Sequence, residues 1–371
     1  MTYADFSSIL SLVNRCIKAE LTYMPTTLRD VATRLNLSPG LVSRVLNNDA
    51  NVRVSLQTRQ RIHMTAREMQ YRPSPSARAL ATGRSRQIAI SGADPSLHSY
   101  RGSRLLEQQG LIEAVAEQHY RVVVLPSTAN HADWREFEEM LYASGCDGFC
   151  LYAEQASLEL YAALQAQNVP FVVLGNPGDN LVTHVDHDNY RYAYDSVAWL
   201  QAQGHTRIGF TDFLSPSAHP FAAALRQGYQ DAMNALCGGF DPTLLLENVP
   251  DDAARIAFVT RPDPPTALIV RDWGGAHRWR KVFQQLGLRV PDDVTVLAHV
   301  TLSEAPYLEV GYAFHAHDPR RIGWLAGQML LRRIQEGATE KVETILVSPS
   351  APQWRTEWYE VIISSQEALG G

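Results

Sequence analysis

The sequence predicts an all-α, basic headpiece at the amino terminus and an α/β, bilobed body built from two doubly wound parallel sheets. Three observations predict this fold class. Positive charge is concentrated in residues 26–86, two short helices with clear capping signals lie in that region, and β-branched runs alternate with amphipathic helical stretches from residue 87 onward. Such alternation is typical of parallel sheets with right-handed crossovers.

The size and composition indicate a soluble protein of two or three domains. A chain of 371 residues exceeds one ordinary core, and 45% hydrophobic with 19% charged residues is a globular composition. Apolar runs such as those in residues 121–125 and 171–174 are far shorter than the roughly 20 residues that span a bilayer. The amino terminus lacks the pattern of a signal peptide. We therefore expect a cytoplasmic protein without a membrane partner.

Four cysteines, Cys16, Cys146, Cys150 and Cys237, are too few and too scattered for a disulfide framework. Cys146 and Cys150 lie close together, the second on a predicted strand, with no second Cys or His pair nearby, so core thiols are favoured over a zinc site.

Charge is divided sharply between the two regions. Residues 26–86 hold eleven arginines against Asp30, Asp49 and Glu68, a net charge of +8. Residues 1–25 have no net charge and the whole chain has a net charge of −6, so residues 87–371 carry −14. A basic module on an acidic body is typical of a nucleic-acid binder, because neutralised phosphates release counterions. A merely solvated charged surface would not usually divide the two signs by domain.

Helical signals begin before the basic module. Apolar residues recur at helical spacing over residues 5–21, which predicts a short amphipathic helix of open function. The next helix begins after Thr27, which can cap it, with Asp30 placed for a capping-box exchange. It runs to Leu35, where Asn36 tolerates the left-handed backbone of a tight turn.

A second helix starts at once, because Ser38 is a cap residue and Pro39 suits the first helical position. Its polar face carries Ser43, Arg44 and Asn47. Two short helices joined by a tight turn, with a polar outer face on the second, form the helix-turn-helix pattern. A simple helical hairpin is the alternative, and the charge of +8 favours the DNA-binding interpretation. The apolar positions predicted to share a core are Leu28, Val31, Leu35, Leu37, Val42, Val45 and Leu46.

A third helix is predicted from a Ser55 cap to Tyr71, and a linker follows it. Two prolines end the helix, and residues 76–80 can form one or two helical turns before Gly83 stops them. A segment this short is not a stable helix alone, so we expect it to fold conditionally.

In the body, short apolar runs predict strands and amphipathic stretches predict helices. The strands are residues 88–91, 121–125, 148–152, 171–174, 183–185, 207–210, 243–247, 267–270 and 294–298. The helices are residues 103–118, 132–143, 157–167, 190–203, 220–235, 274–286 and 319–336. Two such series in succession predict two lobes with a ligand cleft between them, near the carboxyl ends of the strands.

The chain resembles the lactose/galactose repressor family of bacterial transcription regulators. In the headpiece the resemblance is carried by Thr27-Leu28-Arg29-Asp30-Val31-Ala32, Ser38, Val42-Ser43-Arg44-Val45-Leu46-Asn47, Val54-Ser55, Thr58-Arg59 and Tyr71-Arg72-Pro73. In the body it is carried by Gly204-His205-Thr206-Arg207-Ile208-Gly209, Gly228-Tyr229, residues 286–294 and Arg355. The match runs from about residue 27 to 357.

The resemblance implies a periplasmic-binding-protein-like body and four segments. They are an extension over residues 1–25, a headpiece over 26–72, a hinge helix and linker over 73–86, and an effector-binding and dimerisation domain over 87–371. It also implies a repressor that binds a near-palindromic DNA operator as a homodimer, with affinity modulated by a small molecule.

By resemblance, the residues that open the second helix contact base edges in the major groove. Pro39 and Gly40 have no side-chain donors, so Arg44 is expected to provide most of the direct readout through bidentate contacts to a guanine, and Leu41 to touch a thymine methyl. Residues with phosphate-positioning roles are Ser38, Ser43 and Asn47. The remaining headpiece positions of the implied interface are Thr27, Leu28 and Tyr71.

In the hinge, Ser74, Ala77 and Leu80 match the family's minor-groove helix, in which a leucine from each subunit wedges between base pairs and kinks the DNA. An apolar wedge offsets partial unstacking because the bent duplex meets more protein. The alternative is that Leu80 merely packs on the body.

The family's polar anchors for sugars are replaced here. Members usually place an Arg three residues before the Gly of the Gly-Tyr pair and an Asp after the strand at 294–298, where this chain has Leu225 and Val300. After the strand at 267–270, Asp272 stands where the family usually has the Asn of an Asn-Asp pair. We expect an atypical effector, aromatic or cationic, or none at all. The predicted cleft residues are Arg101, His219, Phe221, Arg271, Asp272, Trp273 and His299.

An enzyme and a free solute-binding protein are the competing functions. The alternation of His184, Asp186 and Asp188 on one side of a strand could mimic a metal site, but the segment matches the family's crossing between lobes. No phosphate-cradling glycine loop or nucleophile elbow is present, so neither enzyme activity nor a cofactor is predicted. A free solute-binding protein would share the body but lack the headpiece. An effector-independent regulator whose body serves only dimerisation is the second hypothesis.

Overall fold

The chain divides into two compact units, residues 1–85 and 86–371, which are described separately. The computed structural model describes residues 26–47, 52–72, 74, 79–80, 82–92, 101–126, 134–153, 157–178, 182–213, 220–247, 249, 251–337 and 342–355. The predicted amphipathic helix at residues 5–21 lies outside the described residues.

In the described residues of the first unit, the helices that form the core are α1 (Leu28–Leu35), α2 (Pro39–Leu46) and α3 (Leu56–Glu68). Thr27 and Asp30 form the predicted capping box at the start of α1. Asn36 ends α1 with φ 54°, in the left-handed region that asparagine tolerates. Ser38 caps α2 and Pro39 is its first residue, as the sequence predicts.

The third helix ends earlier than predicted, at Glu68 rather than Tyr71. Gln70 adopts a left-handed backbone with φ 50°. The Tyr71 amide then donates to the Ala66 carbonyl (2.8 Å) and the Gln70 amide to that of Arg67 (3.0 Å). These two bonds form a Schellman motif, which turns the chain out of the helix.

The headpiece core lies among the three helices. Its buried residues are Val31, Ala32, Leu35, Val42, Val45, Val52, Ile62 and Ala66. Burial of such side chains contributes about 1.5–3 kcal/mol for each large one, which is how three short helices are held together.

The second unit contains two lobes, each with one six-stranded sheet. Lobe 1 holds β1 (Gln87–Ser91), α4 (Arg101–Ala116), β2 (Arg121–Leu125), α5 (Trp134–Ala143), β3 (Gly148–Tyr152), α6 (Leu158–Ala166), β4 (Phe171–Leu174) and β5 (His184–His187). Lobe 2 begins with α7 (Asn189–Ala202) and holds β6 (Ile208–Phe213), α8 (Pro220–Leu236), β7 (Leu245–Glu247), α9 (Asp252–Thr260), β8 (Ala267–Val270), α10 (Trp273–Leu286), β9 (Thr295–Thr301) and β10 (Ala313–His317). The chain then returns through α11 (Pro319–Glu336), β11 (Thr344–Val347) and β12 (Gln353–Trp354).

The two sheets have matching strand orders. They are β2-β1-β3-β4-β5-β11 and β7-β6-β8-β9-β10-β12. All described strand pairs are parallel except β10 with β12, which is antiparallel. In such doubly wound sheets, the carboxyl ends of the strands beside the switch in strand order form the ligand crevice. The switch lies between β1 and β3 in lobe 1, and between β6 and β8 in lobe 2.

Three chain segments cross between the lobes. Helix α7 follows β5 of lobe 1 but packs in the core of lobe 2, where Tyr192 and Val197 contact the same cluster as Ile208. Helix α11 follows β10 of lobe 2 but packs in the core of lobe 1 with Ile88 and Leu111. The third crossing joins β11 to β12.

The predicted two-sheet body is confirmed, and several elements escaped prediction. The sequence did not predict α9, β10, β11 or β12. Among the helices of the described residues, none is long and apolar enough to cross a membrane.

Candidate nucleic-acid interface and ligand cleft

The outer face of α2 carries the arginine predicted to contact bases. Arg44 is exposed, and its Nε lies 3.4 Å from the Gly40 carbonyl oxygen one turn earlier. Pro39 and Gly40 are also exposed. The helix therefore presents a guanidinium beside a start that is free of large side chains, which allows close approach to a groove.

The predicted phosphate-positioning residues border this arginine. Ser38 is exposed and its Oγ accepts the Leu41 amide (3.3 Å) as the cap of α2. Asn47 is exposed, and its Nδ2 donates to Ser43 Oγ (3.4 Å). The side chains of Ser43 and Asn47 are thus held on the same face of the helix as Arg44.

Three predicted interface residues also serve the headpiece core. Leu28, Leu41 and Tyr71 are half-buried against it. Thr27 is exposed, and its hydroxyl and amide are both engaged with the Asp30 carboxylate in the capping box (2.7 and 2.8 Å). Those backbone and side-chain hydrogen bonds lower the pKa of Asp30.

Among the described residues of the linker, Leu80 is an exposed apolar side chain. Leu80 lies in a helical segment with Ala79, closed by a hydrogen bond from the Gly83 amide to the Ala79 carbonyl (2.8 Å). Its side chain is 90% exposed. Ser74 is exposed, and Ala77 lies outside the described residues.

In lobe 2, Asp272, a predicted cleft residue, makes contacts within the protein. This residue caps α10: its Oδ1 accepts the Gly275 amide at 2.6 Å, and its Oδ2 pairs with Arg271 at 3.1 Å. Both carboxylate oxygens are thus engaged within the protein. Arg271 is the first residue beyond β8.

The other predicted cleft residues that the structure describes contact different parts of lobe 2. Trp273 is 40% exposed, stacks on His277 with ring centroids 5.8 Å apart, and its indole Nε1 lies 3.4 Å from the Tyr307 carbonyl. Phe221 is half-buried against the core of lobe 2. Arg101 is the first residue of α4, and no side-chain position is described for it. His219 lies outside the described residues.

His299, which the sequence predicts in the cleft, lies inside lobe 2. His299 is 2% exposed in the interior of lobe 2, where its ring stacks on Tyr192 (3.8 Å between centroids) and its Nε2 lies 2.8 Å from Ser196 Oγ. Burial, with contributions from His315, His317 and Arg271, holds its pKa well below the ordinary value. Its imidazole is therefore neutral near pH 7, because burial disfavours the charged form.

The two positions where the family's sugar anchors are missing are buried and apolar. Leu225 is 4% exposed and Val300 fully buried. Neither can hydrogen-bond a sugar hydroxyl, so the structure leaves the basis of that prediction intact.

Sequence reasoning missed a buried polar cluster in lobe 1. Arg104 pairs with Glu107 on α4 (3.0 Å), and its guanidinium lies 3.8 Å from the centre of the Tyr152 ring at the end of β3. Asp186 of β5 accepts from the His187 amide (2.8 Å) and from Asn189 Nδ2 (3.0 Å). Burial, with repulsion from Glu107, raises the pKa of Asp186 to about 7. Charged residues on a face of α4 at helical spacing were the available signal.

The metal alternative finds no geometric support. Among the described residues, no group of three His, Cys, Asp or Glu side chains is arranged to hold a metal ion. Cys150 is buried, which raises the pKa of its thiol to about 12, and Cys146 is half-buried.

Comparison with known families gives two matches. Residues 27–74 match the bacterial regulatory proteins of the lacI family, and residues 197–355 match the periplasmic binding protein-like domain.

Several curated relatives are transcription regulators. The regulator AglR of Rhizobium meliloti (strain 1021) is 29% identical over 289 residues, which cover 74% of this chain and 78% of the relative. The repressor CytR of Escherichia coli (strain K12) is 26% identical over 327 residues, or 86% of this chain and 93% of the relative.

Solved structures show the same fold. The Lac repressor dimer bound to operator and the anti-inducer ONPF aligns with a TM-score of 0.74 and 21% identity, covering 90% of this chain and 99% of that one. A complex of the regulator CelR with cellobiose aligns with a TM-score of 0.62 and 21% identity, covering 89% and 99%. The chain therefore combines a lacI-family helix-turn-helix domain with a periplasmic-binding-protein-like domain, the architecture of a DNA-binding transcription regulator of lacI type.

Proposed function

We propose that this regulator is a cytoplasmic repressor that binds a near-palindromic operator as a homodimer, with its affinity set by a small molecule between the lobes. One observation carries the proposal: the capped, exposed face of α2, with Arg44 at its centre, in a module of net charge +8. The charge supplies affinity for phosphates, and the guanidinium supplies base discrimination.

The exposed leucine of the linker supports a DNA-bending role. Leaving Leu80 in water forgoes about 1.5–3 kcal/mol of burial free energy, which insertion between base pairs would recover. The short helical segment around it gains stability only from such a partner.

The homodimer is supported by apolar side chains at one edge of lobe 1. Helix α4 exposes Leu105 (67%) and Ile112 (50%), seven residues apart on one face, and the neighbouring edge strand β2 exposes Val124 (56%). A second subunit would cover these side chains, and two headpieces would then match two half-sites.

The ligand is proposed to be aromatic or apolar rather than a sugar. The apolar positions Leu225 and Val300 offer no hydrogen bonds, and Asp272 is committed to its helix cap and to Arg271. A cationic ligand would have to displace that guanidinium, which disfavours the cationic alternative. Trp273 and Phe221 supply the aromatic surface.

A second candidate function is regulation without an effector. It is favoured by the contacts that already join the lobes, such as the 3.4 Å contact between Ser103 Oγ and His317 Nε2. In that case the body serves only dimerisation.

The test begins with selection of binding sites from random DNA by the full-length chain. We expect an enriched near-palindrome, protein bound as a dimer in sedimentation, and a loss of about 1–3 kcal/mol in specific binding for Arg44→Ala with relaxed preference at one base pair. Asn47→Ala is the matched control: loss of a phosphate contact should weaken specific and random DNA alike.

Two results would contradict the proposal. Failure to enrich any sequence would exclude specific binding, and equal weakening of specific and random DNA by Arg44→Ala would reduce Arg44 to a phosphate contact. A screen of aromatic metabolites on operator complexes separates the two functions, because the effector-independent regulator should release no operator.

A further inference from the structure

Two neighbouring chain crossings between the lobes carry the same dipeptide. Strand β5 of lobe 1 ends at His187, followed by Asp188, and strand β10 of lobe 2 ends at His317, followed by Asp318. Each aspartate caps the helix that enters the other lobe, through the Arg191 amide (3.0 Å) and the Arg321 amide (2.9 Å). Both histidines therefore lie where the chain leaves one lobe for the other.

The two imidazoles contact each other across the lobe boundary. Their ring centroids are 4.7 Å apart and their planes lie at 82°, an edge-to-face contact. His317 also reaches α4 of lobe 1, where Ser103 Oγ lies 3.4 Å from its Nε2. His187 and His317, here called the hinge pair, thus join the two lobes directly.

Hydrogen bonding fixes the tautomer of His317. The Tyr192 hydroxyl has one proton, and it donates that proton to the His315 carbonyl at 2.6 Å. The 3.2 Å contact between Tyr192 Oη and His317 Nδ1 must therefore be donated by the imidazole. In the neutral imidazole, Nε2 then carries the lone pair and accepts from the Ser103 hydroxyl. The Nδ1 of His187 is buried with no hydrogen-bond partner among the described residues.

The surroundings of the hinge pair penalise a second proton. Burial lowers the pKa of His317 to about 4, against a raising contribution from the Val300 backbone. Burial, His317 and Arg104 together hold the pKa of His187 well below its ordinary value. The titratable or charged groups around the pair are Arg104 and Glu107 on α4, Asp186 on β5, Asp188 and Tyr192 at the start of α7, Arg271 beyond β8, His299 on β9, Glu304 beyond β9, His315 on β10 and Asp318 before α11.

We propose that the hinge pair is a proton-sensitive latch between the lobes, neutral while the lobes are packed as in this structure and protonated when they part. The proposal depends on the bilobed body alone and on neither the operator nor the effector. Its physical basis is that both histidines are only partly exposed while the lobes are packed, and that parting the lobes hydrates them fully, so that they accept protons that the packed arrangement disfavours.

The direction of the pH dependence follows from linkage. The imidazole of His317 has a lower pKa in the packed arrangement than in water. Its contribution to packing of the lobes is therefore complete above the ordinary histidine pKa of about 6.5 and is lost as the pH falls toward 4. Between pH 7.5 and 5.5 the equilibrium constant for packing should fall about tenfold for each histidine. Asp186 has the opposite effect, because its pKa is raised to about 7 in the packed arrangement. To the extent that its burial depends on packing of the lobes, its protonation favours packing as the pH falls. The difference in pH dependence between the wild type and the variants of the hinge pair therefore measures the contribution of the histidines.

The experiment measures the distance between the lobes in the full-length chain. Donor and acceptor dyes attached through a noncanonical amino acid at the exposed positions 139 on α5 and 285 on α10 report lobe separation by energy transfer. His187→Phe keeps the ring contact without a titrating nitrogen, and His317→Asn keeps a donor near Tyr192. His119→Asn is the matched control, since His119 is exposed in lobe 1 with a left-handed backbone that asparagine accepts.

We expect energy transfer in the wild type and His119→Asn to fall between pH 7.5 and 5.5, with circular dichroism showing that both remain folded. In each single variant of the hinge pair, the change in the packing equilibrium constant between these pH values should be about tenfold smaller than in the wild type. In the double variant, energy transfer should not depend on pH. Constant energy transfer in the wild type would overturn the proposal, as would an unchanged pH dependence in both hinge variants. If His317→Asn does not fold, His187→Phe alone decides between these results.

Discussion

Replacing Ser196 by alanine should destabilise the body more than an ordinary serine substitution. Ser196 is fully buried on α7. Its hydroxyl donates to the Tyr192 carbonyl (2.7 Å) and accepts from His299 Nε2 (2.8 Å) and His315 Nδ1 (2.8 Å). One donor and two acceptor positions are all that a hydroxyl has, so the bonding of Ser196 is complete.

The expected magnitude follows from the groups left behind. Alanine removes the acceptor of two buried imidazole N–H groups, and each unsatisfied buried donor costs about 1–3 kcal/mol. A change of tautomer would not rescue His315, because its Nε2 is also buried without a partner among the described residues. The free energy of unfolding should therefore fall by about 2–6 kcal/mol, against the 5–15 kcal/mol that is typical of whole proteins.

Urea unfolding of the full-length chain, followed by tryptophan fluorescence and circular dichroism, measures this loss. Ser157→Ala is the control, because Ser157 caps α6 through one bond to the Leu160 amide and its loss should cost about 1 kcal/mol. A loss for Ser196→Ala no larger than for Ser157→Ala, at equal m-value, would refute the reasoning that the three-way hydrogen bonding is energetically coupled.

Three further predictions follow. Leu80→Ala should leave folding and dimerisation intact but reduce operator bending, and an unchanged bend angle in circular-permutation gels would reject the wedge. Gly323→Ala should destabilise lobe 1 by about 1–3 kcal/mol or more, because a methyl group there overlaps the Glu107 backbone where α11 crosses α4. Thermal unfolding measures this loss, and an unaltered Tm would show that the two helices can move apart without cost. Calorimetric titration with neutral hexoses should release no heat, and tight binding that survives Asp272→Ala and Trp273→Ala would contradict the proposed ligand class.

The headpiece could be predicted almost completely because its signals are local. Thr27, Asp30, Asn36 and Ser38 each act on a backbone group within three residues of themselves, and the structure shows each in its predicted role. The end of α3 was missed because Gln70 takes the left-handed conformation, which is usually left to glycine or asparagine.

The strands of the body were predictable where they are β-branched and buried, and not elsewhere. Strands β3, β4 and β8 lie where their apolar runs indicate. Strand β10, with the sequence Ala-Phe-His-Ala-His, is also buried, but alanine and histidine have little β-propensity. Strands β11 and β12 pair only through residues distant in sequence, at sheet positions that the chain reaches after crossing the lobes.

The cleft was the least predictable part, because a strand's sequence does not say which layer covers each face. His299 was assigned to the cleft, yet Tyr192 of α7 covers it. Its partner Ser196 lies 103 residues earlier in the chain, and the second partner of that serine, His315, lies 119 residues beyond it. Only the tertiary structure shows that these residues meet.

The same network determines where movement between the lobes can be absorbed. Tyr192 and Ser196 tie α7 to β9 and β10, so this helix moves with lobe 2 although it follows a strand of lobe 1. Rotation of the lobes must then be taken up just before the helix, at His187 and Asp188, beside the equivalent residues of β10. Ser196→Ala weakens the tie but removes no titrating group at the hinge pair. It should lower the free energy of unfolding and leave the tenfold pH factors of the latch in place, so the stability prediction and the latch can fail independently.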